Sequence, residues 1–561
     1  MCGIFALLNH VNQDPQKIQT QFEKGRNRGP EYSVLTPVQD NAIFGFHRLA
    51  INGLNPESNQ PLENNKIKLI CNGEIYNYKQ LYDQMYVNPK TQSDCEVILW
   101  LYEKYGIEQC LQMLDGVFAF VLLDERGVNP VIHIARDPYG VRPLYILEQP
   151  DNTNHLVGFA SELKSLSAFE KSVSHFPPGH YASWTHIRGL WERSLNNVPY
   201  HRMPFPLQTP SSNLTSQQIT VGIREHLIAA VEKRCQTTER PIACLLSGGL
   251  DSSLITALVH RYHRNNNLAP VETYSIGLAG SVDLQYARLV ADYLGTVHTE
   301  IVLTEKDFTD AIPRVIEAIE SYDTTTVRAS IGNFLLGEYI SKHSQAKVIF
   351  NGDGSDELLG GYLYMNQAPD AIEFDRECRR LLRDIHAFDV LRSDKSISSH
   401  GLEPRTPFLD RFWTQFYLSL PVAVRFQPDK PEKYWLRLAF SDKEEFEGEP
   451  LLPREVVWRR KEAFSDGVSG QDRSLYQILQ EYSILSLSEA ESTAKSTVES
   501  EAAMDISTNP PNTAEQWNYR KIFERLYPGF ANVVPYFWMP KYVEAKDASA
   551  RTLAIYANNN P

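Results

Sequence analysis

The strongest chemical signature in the chain is Leu246-Ser247-Gly248-Gly249-Leu250-Asp251-Ser252-Ser253. A short apolar stretch, Pro241-Ile242-Ala243-Cys244-Leu245, runs into it, and Leu254, Ile255, Ala257, Leu258 and Val259 recur after it at helical spacing. The loop therefore reads as the joint between a strand and a helix. A helix N-terminus offers unpaired backbone N–H groups and the positive end of the dipole, and both favour an anion. Gly248 and Gly249 let the backbone approach a phosphate with no Cβ in the way. Ser247, Ser252 and Ser253 add hydroxyl donors. Asp251 is the odd member, because a carboxylate repels phosphate. It makes sense as a ligand for Mg²⁺, which takes carboxylate oxygens and then neutralises phosphate charge. A second loop, Asn351-Gly352-Asp353-Gly354-Ser355-Asp356-Glu357, follows the apolar run Val348-Ile349-Phe350 and brings further carboxylates suited to the same ion. Taken singly, the first loop is also compatible with a helix-capping turn and the second with a solvated acidic turn.

A different chemistry is available at Met1-Cys2-Gly3-Ile4-Phe5. A small second residue permits removal of the initiator methionine, and Cys2 then carries both a thiol and a free α-amine. That amine titrates near about 7.7–8, so it can take the thiol proton and return it. Nucleophile and general base then share one residue. Alone, a cysteine here is equally a small buried hydrophobe. It has company, in order: Arg26-Asn27-Arg28-Gly29-Pro30-Glu31, Phe46-His47-Arg48-Leu49-Ala50, Cys71-Asn72-Gly73-Glu74-Ile75-Tyr76-Asn77 and Ser93-Asp94-Cys95-Glu96. Each has a plain reading too: Asn-Gly makes a good hairpin turn, and Arg48 and Asp94 could be surface charges.

The 246–253 loop is neither a Gly-Lys-Ser/Thr phosphate loop nor a Gly-x-Gly-x-x-Gly fingerprint. It resembles the Ser-Gly-Gly-x-Asp-Ser loop of the ATP pyrophosphatases, which split ATP between its α and β phosphates. The Cys2 series resembles the class II glutamine amidotransferases, with Asn27 and Glu31 where that family usually has His and Asp. The resemblance implies that Cys2 attacks the glutamine side-chain amide and that Asn72 and the Gly73 N–H form the oxyanion hole. It also implies that Arg48 grips the substrate α-carboxylate, that Asp94 accepts from its α-ammonium, and that Glu74 lies in the same wall.

With Glu320–Ser330, Arg405–Asp410, Trp458–Gly467, Met113–Asp124 and Trp538-Met539-Pro540-Lys541 added, the chain resembles the glutamine-hydrolysing asparagine synthetases, the animal type most, from Met1 to about Leu553. That resemblance implies ATP with Mg²⁺ on Asp251 and Asp356, and Lys461 against the departing pyrophosphate. Leu245, Ser247, Gly248, Gly249, Ser252, Ile276 and Gly352 would border the nucleotide. Asp283, Thr325, Arg328 and Asp353 would lie on the aspartate and ammonia side. Asp353 stands where the family usually has glutamate, and Asn351 where it has serine. The implied reactants are glutamine, aspartate and ATP, and the resemblance allows a homodimer. Two other readings stay open: an amide closed on a different carboxylate, and a sensor that binds without turnover. The intact Cys2, Asn72, Asp251, Asp356 and Lys461 disfavour the second.

The elements needed to hold these residues are legible in outline. At 561 residues the chain exceeds a single core, so two large domains are expected. Gly116–Leu123 and Val131–Ala135 read as buried strands of the first half. The resemblance makes that half an αββα N-terminal-nucleophile sandwich over 2–196. Residues 197–216 carry four prolines, at 199, 204, 206 and 210, and read as a linker. Over 217–553, strands alternate with helices, which argues a doubly wound parallel sheet with ligands at the carboxyl ends of its strands. Residues 487–516 are rich in Ser, Glu, Ala and Thr and read as a mobile excursion, after which aromatics return.

The net charge of −14 without a basic tract argues against a nucleic-acid partner. Seven scattered cysteines with no Cys-x-x-Cys pair suggest neither a disulfide framework nor a zinc site, and point to a reducing, cytoplasmic setting. No run of about 18 apolar residues and no basic-then-apolar leader is present, so neither membrane insertion nor secretion is expected.

Overall fold

The computed structural model describes residues 1–148, 156–169, 172–205, 214–441, 446, 448–459, 461, 467–469, 473–494 and 506–549. Residues 206–213 of the expected linker, residues 460 and 462–466 of the Trp458–Gly467 motif, residues 495–505 and the stretch from 550 to 553 lie outside it.

Two six-stranded antiparallel sheets build the first half. One runs, edge to edge, Val173–His175, Tyr145–Leu147, Val157–Ala160, Gly3–Leu8, Ala42–Arg48, Tyr32–Gln39. The other runs Leu190–Pro199, His180–Ile187, Val131–Arg136, Gly116–Asp124, Ile67–Ile75, Leu62–Asn64. Strand alternation decides what each face meets. Ile4, Ala6 and Leu8 of the first sheet share a core with Ile70, Val121 and Ile134 of the second. The odd-facing Phe5 and Leu7 turn outward to Ile18 and Phe22 of helix Pro15–Glu23. Leu69, Phe120 and Leu122 turn outward to Ile98, Leu101 and Leu111 of helix Val97–Met113. The result is the four-layered αββα sandwich expected from the sequence.

The second half is a five-stranded parallel sheet in the order Val297–Leu303, Glu272–Leu278, Ile242–Leu245, Val348–Phe350, Glu403–Arg405. Counted along the chain this order is 3-2-1-4-5, a doubly wound sheet with its direction of winding reversed between Ile242–Leu245 and Val348–Phe350. Helices Ser216–Gln236, Leu250–Asn265 and Val282–Leu294 cover one face. Glu305–Ile319 and Thr324–His343 cover the other. Helix Leu475–Ala494 extends into the segment read as a mobile excursion, with Leu475, Ile478 and Leu479 buried against that second layer. Helix Ala514–Leu526 then docks through Tyr519 and Phe523. Among the described residues no helix is long and apolar enough to cross a membrane.

The halves share a core. Leu49, Ile51, Tyr76, Val117, Tyr139 and Val141 of the sandwich belong to one apolar cluster with Leu254, Leu358 and Leu409 of the second half.

Candidate active sites

The winding reversal brings the two charged loops together. Leu246–Gly249 and Asn351–Gly354 leave neighbouring strands whose residues Ile242, Ala243 and Cys244 pair with Val348, Ile349 and Phe350. Gly248 adopts φ +73°, and a Cβ there would stand 2.5 Å from the Ala287 backbone nitrogen, so only glycine fits the turn. Ser252 Oγ accepts from the Ser247 amide at 3.1 Å and meets Ser247 Oγ at 2.9 Å, which shapes the loop from within. Ser355 Oγ donates to Asp251 Oδ1 at 2.8 Å and locks one loop to the other.

The cleft above these loops has a volume of about 340 Å³, within the range of small-molecule sites. Of the second-half residues singled out from the sequence, Leu245, Ser247, Gly249, Asp251, Ser252, Ile276, Asp283, Thr325, Arg328, Gly352, Asp353, Asp356 and Lys461 line it, while Gly248 and the fully buried Ser253 do not. Asp251 and Asp356 converge on one ammonium: Lys433 Nζ stands 2.5 Å from Asp251 Oδ2 and 2.6 Å from Asp356 Oδ1. Lys461 also pairs with Asp356. Burial alone would raise the Asp356 carboxyl, but the two lysines outweigh it and hold the group well below the usual carboxylate range. Asp283 pairs with Arg459 at 2.9 Å on another wall. Asp353 Oδ1 accepts from Arg392 Nη2 at 3.1 Å, and Arg392 is anchored in turn by Asp389 at 2.7 Å. Asn351 does not face outward: its Nδ2 donates to Ser393 Oγ at 2.7 Å and its Oδ1 accepts from the Asp353 amide at 3.3 Å. The Thr325 hydroxyl is buried without a protein partner.

Mg²⁺ brought by ATP takes one or two carboxylates and fills its shell with phosphate oxygens and water. Among the described residues no cluster of three or more His, Cys, Asp and Glu side chains could hold a metal unaided. Two carboxylates meeting at a single cationic point, beside a phosphate-shaped loop, do fit such an ion.

Lys433, Arg392, Asp389 and Arg459 line the cleft although the sequence reading did not single them out. Lys433 sits in a plain Pro-Glu-Lys-Tyr stretch with no periodicity or motif around it. Arg459 falls inside the quoted Trp458–Gly467 motif and was within reach.

The second constellation lies at the ends of strands Gly3–Leu8, Ala42–Arg48 and Ile67–Ile75. Cys2 Sγ donates to Leu49 O at 3.6 Å. Burial pushes the thiol up, opposed by the neighbouring α-amine, and burial brings the Met1 amine down to about 6. Asn72 Nδ2 donates to Ser161 Oγ at 3.5 Å, and the Asn72 Oδ1 is buried without a partner. Asn72 and Gly73 sit inside a continuous strand opposite Ala119 and Phe118, not in a hairpin turn. A Cβ on Gly73 would stand 2.5 Å from Val117 O. Arg48 spends its guanidinium on the following loop, donating to Asn55 O at 3.0 Å and to Asn59 Oδ1 at 2.6 Å. Asp94 Oδ2 accepts from the Ile75 amide at 2.7 Å, and burial raises its carboxyl to about 6. Glu74 accepts from Asn52 Nδ2 at 2.6 Å; burial, then Asp94 and Glu403, push it well up.

Charged pairs, most of them buried, cross between the two halves. Arg28 pairs with Glu162 at 2.7 Å and, across the domain boundary, with Asp394 at 2.8 Å. Arg142 reaches Asp394 at 3.4 Å and Glu403 at 3.8 Å. Arg405 pairs with Glu403 at 2.9 Å and lies 3.5 Å from Glu74. Glu31 also crosses the boundary, pairing with Arg240 at 2.7 Å while accepting from the Ala50 amide.

Comparison with known proteins follows the same division. A family model described as a glutamine amidotransferase domain matches residues 1–186, and one described as asparagine synthase matches residues 222–375 and 366–527. The chain is 40% identical over 581 residues to an asparagine synthetase (glutamine-hydrolyzing) from Gallus gallus, covering 99% of each. It is 40% identical over 578 residues to the protein of that name from Homo sapiens, and 39% identical over 578 residues to that from Mus musculus, again covering 99% of each.

Proposed function

The chain belongs to the family of glutamine-hydrolysing asparagine synthetases, and from that premise we infer that Cys2 and the 246–253 loop mark the two halves of one coupled reaction. The enzyme makes asparagine from aspartate, with ATP as energy source and glutamine as nitrogen donor. Full-length likeness with both signature loops at one winding reversal carries this reading.

At the first site the Cys2 thiolate attacks the glutamine amide carbon, and the free α-amine left by loss of Met1 takes the thiol proton and passes it to departing ammonia. The thioester is then hydrolysed by water to glutamate. Asn72 and the Gly73 N–H hold the oxyanion; the Asn72 amide, buried and anchored by Ser161, suits that task. Arg48, Glu74 and Asp94 bind the amino-acid end of glutamine. Arg48 must trade some of its loop carbonyls for substrate to do so.

At the second site the 246–253 loop cradles the ATP phosphates, with Leu245, Ile276 and Gly352 along the nucleotide. The aspartate β-carboxylate attacks the α-phosphorus, and pyrophosphate leaves toward Lys461. Asp251 and Asp356 would hold Mg²⁺, whose contribution when bound is to neutralise phosphate charge. Ammonia then attacks the acyl carbon of the β-aspartyl adenylate and AMP departs. Asp283, Thr325, Arg328 and Asp353 take the aspartate and ammonia side. Ammonium is no nucleophile, so ammonia must cross protected from water. The halves meet between the two sites in an apolar cluster that includes Leu49, whose carbonyl accepts from Cys2, and Leu254 and Leu358.

The glutaminase domain is assigned to 2–196, the linker to 197–216 and the synthetase domain to 217–553. Its seven free thiols suit a reducing, cytoplasmic compartment, and family resemblance allows a homodimer. The test is a product assay with amide-¹⁵N glutamine, aspartate, ATP and Mg²⁺, following asparagine, glutamate, AMP and pyrophosphate together. Labelled asparagine matched by AMP is expected. Glutamate without asparagine would point to another acceptor, and neither glutamate nor AMP would leave a binding protein.

A further inference from the structure

Arg328 reaches the synthetase cleft from the first turns of helix Thr324–His343, and its partners belong to neither phosphate loop. Its Nε and Nη2 donate to Glu515 at 2.8 and 2.6 Å, and its Nη1 and Nη2 donate to Asp547 at 2.8 and 2.9 Å. Tyr476 lies under the guanidinium at 4.8 Å. Glu515 stands in the first turn of helix Ala514–Leu526 and is fully buried. Asp547 arrives differently, on the chain beyond that helix.

This chain, residues 536–549, is a strap laid across the cleft. Tyr536 OH donates to Asp384 at 2.7 Å, and Tyr542 OH donates to Glu373 O at 2.8 Å. The Trp538 ring packs on Tyr362 and Tyr364, and its amide donates to Asp323 Oδ1 at 2.7 Å. Asp323 also caps the helix that carries Arg328, accepting from the Thr326 amide at 2.9 Å. One carboxylate therefore ties the strap to that helix at its first turn, and Asp547 ties it again through Arg328.

Two carboxylates on one guanidinium are one more than its charge requires, and a surplus buried carboxylate is costly. The geometry gives the second one a use. Glu515 alone fixes one edge of the guanidinium. Asp547 fixes the other, so the plane cannot swing. Four of the five N–H groups are then spent on these two partners, and one Nη1 N–H is left to the cleft that Arg328 lines.

We propose that Asp547 is a positioning residue of the synthetase site: carried in by the C-terminal strap, it holds Arg328 in the orientation that receives the aspartate substrate, so this side of the cleft is complete only with the strap docked. The inference rests on the assignment of Arg328 to the aspartate side. A structural role for the strap would alter both substrates' binding and overall stability together; positioning of Arg328 is specific to aspartate.

The experiment measures steady-state kinetics of the full-length D547N, D547E and R328K enzymes with aspartate and ATP varied in turn, and glutaminase activity on the same preparations. D547N is expected to raise the aspartate KM about tenfold, the scale of one charge-assisted hydrogen bond. The ATP KM should stay within about twofold, glutaminase activity should not change, and D547E should recover part of the loss. Adding D547N to R328K should change little further. Glutaminase activity reports folding, and D547S carries the same expectation should D547N fail to fold. An aspartate KM that stays put or falls in D547N, or an ATP KM that rises equally, overturns the proposal. If R328K raises the aspartate KM while D547N does not, only the positioning role is lost; if R328K is silent too, the assignment of Arg328 fails with it.

Discussion

Glu74, proposed for the glutamine pocket, and Arg405 on the edge strand of the parallel sheet stand 3.5 Å apart, both shut away from solvent. Arg405 also holds Glu403 at 2.9 Å and donates to the carbonyls of Arg234 and Thr237. One guanidinium thus serves the strand that carries Glu74 in one half and the chain packing of the other. Removing it as R405M would leave the buried Glu403 carboxylate short of its main counter-charge, at a cost of about 3–5 kcal/mol. R405K keeps the charge but loses the fork and should fall between. Thermal unfolding gives the order wild type, R405K, R405M; equal midpoints would mean that the pair carries no stability.

C2A should abolish asparagine formation from glutamine while leaving synthesis from added ammonium intact, because the thiol has no part at the second site. N72A should lower glutaminase turnover by about 10²–10³-fold, the usual cost of one oxyanion donor. Mass spectrometry of the purified chain supplies the companion result: Met1 must be absent from active enzyme. Its amine, brought down to about 6 by burial, faces Glu403, Arg142 and Arg28. An active chain that keeps Met1 would remove the Cys2 amine from the mechanism.

The pH dependence of glutamine use follows from Asp94. Burial lifts its carboxyl from 3.8 to about 6, only partly offset by the Ile75 amide. As pH falls through about 6 the carboxylate that should meet the substrate ammonium is protonated, so the glutamine KM is expected to rise while ammonium-dependent synthesis keeps its own profile. The stability effect runs the other way. Between 3.8 and about 6 the folded chain holds a proton that the unfolded chain has released, so this group weakens the fold as pH rises across that window. A D94N enzyme should lose the inflection in KM; an inflection that survives belongs to another group.

What could be read from the sequence was whatever is local. The Ser-Gly-Gly-Leu-Asp-Ser run and the acidic loop declare themselves because charge, glycine and hydroxyl fall within a few residues of one strand end. Strand order was out of reach: Ile242–Leu245 and Val348–Phe350 become neighbours only through the winding of a hundred residues between them. Asn72-Gly73 reads locally as a turn, yet pairing with Phe118 and Ala119 keeps it extended. Glu31, a departure from the family pattern, acquires its meaning from Arg240 in the other domain. Arg328 was legible, but Glu515 and Asp547 reach it from 187 and 219 residues away, and no local pattern announces such partners.

Asp353 is a methylene shorter than the glutamate usual at its position, and Arg392 draws one oxygen aside at 3.1 Å. Its other oxygen is buried without a partner. A displacement of about 1 Å can cost about 10²-fold in a step that depends on alignment. D353E should therefore raise the asparagine formed per glutamate hydrolysed. D353N should lower asparagine formation by about 10²-fold while pyrophosphate release continues. If D353E lowers the ratio, the Asp353–Arg392 pair is tuned to the shorter side chain and the longer one is misplaced.

Lys433 gives the sharpest test of the metal site, because it lies where a cation belongs. Its ammonium is 2.5 Å from Asp251 and 2.6 Å from Asp356, the two carboxylates proposed to hold Mg²⁺. Without nucleotide the lysine competes with a free ion for both. With ATP bound it is one more positive charge beside the phosphates. Removing it should thus move two observables in opposite directions. K433M should bind free Mg²⁺ about tenfold more tightly, read by calorimetry without ATP, since the carboxylates lose their internal counter-ion. It should also raise the ATP KM at least about tenfold, since the phosphates lose a charge partner. Chelation of Mg²⁺ should stop AMP formation in both proteins while glutaminase turnover continues. Weaker Mg²⁺ binding in K433M would mean that Lys433 organises the carboxylates instead of competing for them, and AMP formation that survives chelation would remove Mg²⁺ from Asp251 and Asp356 altogether.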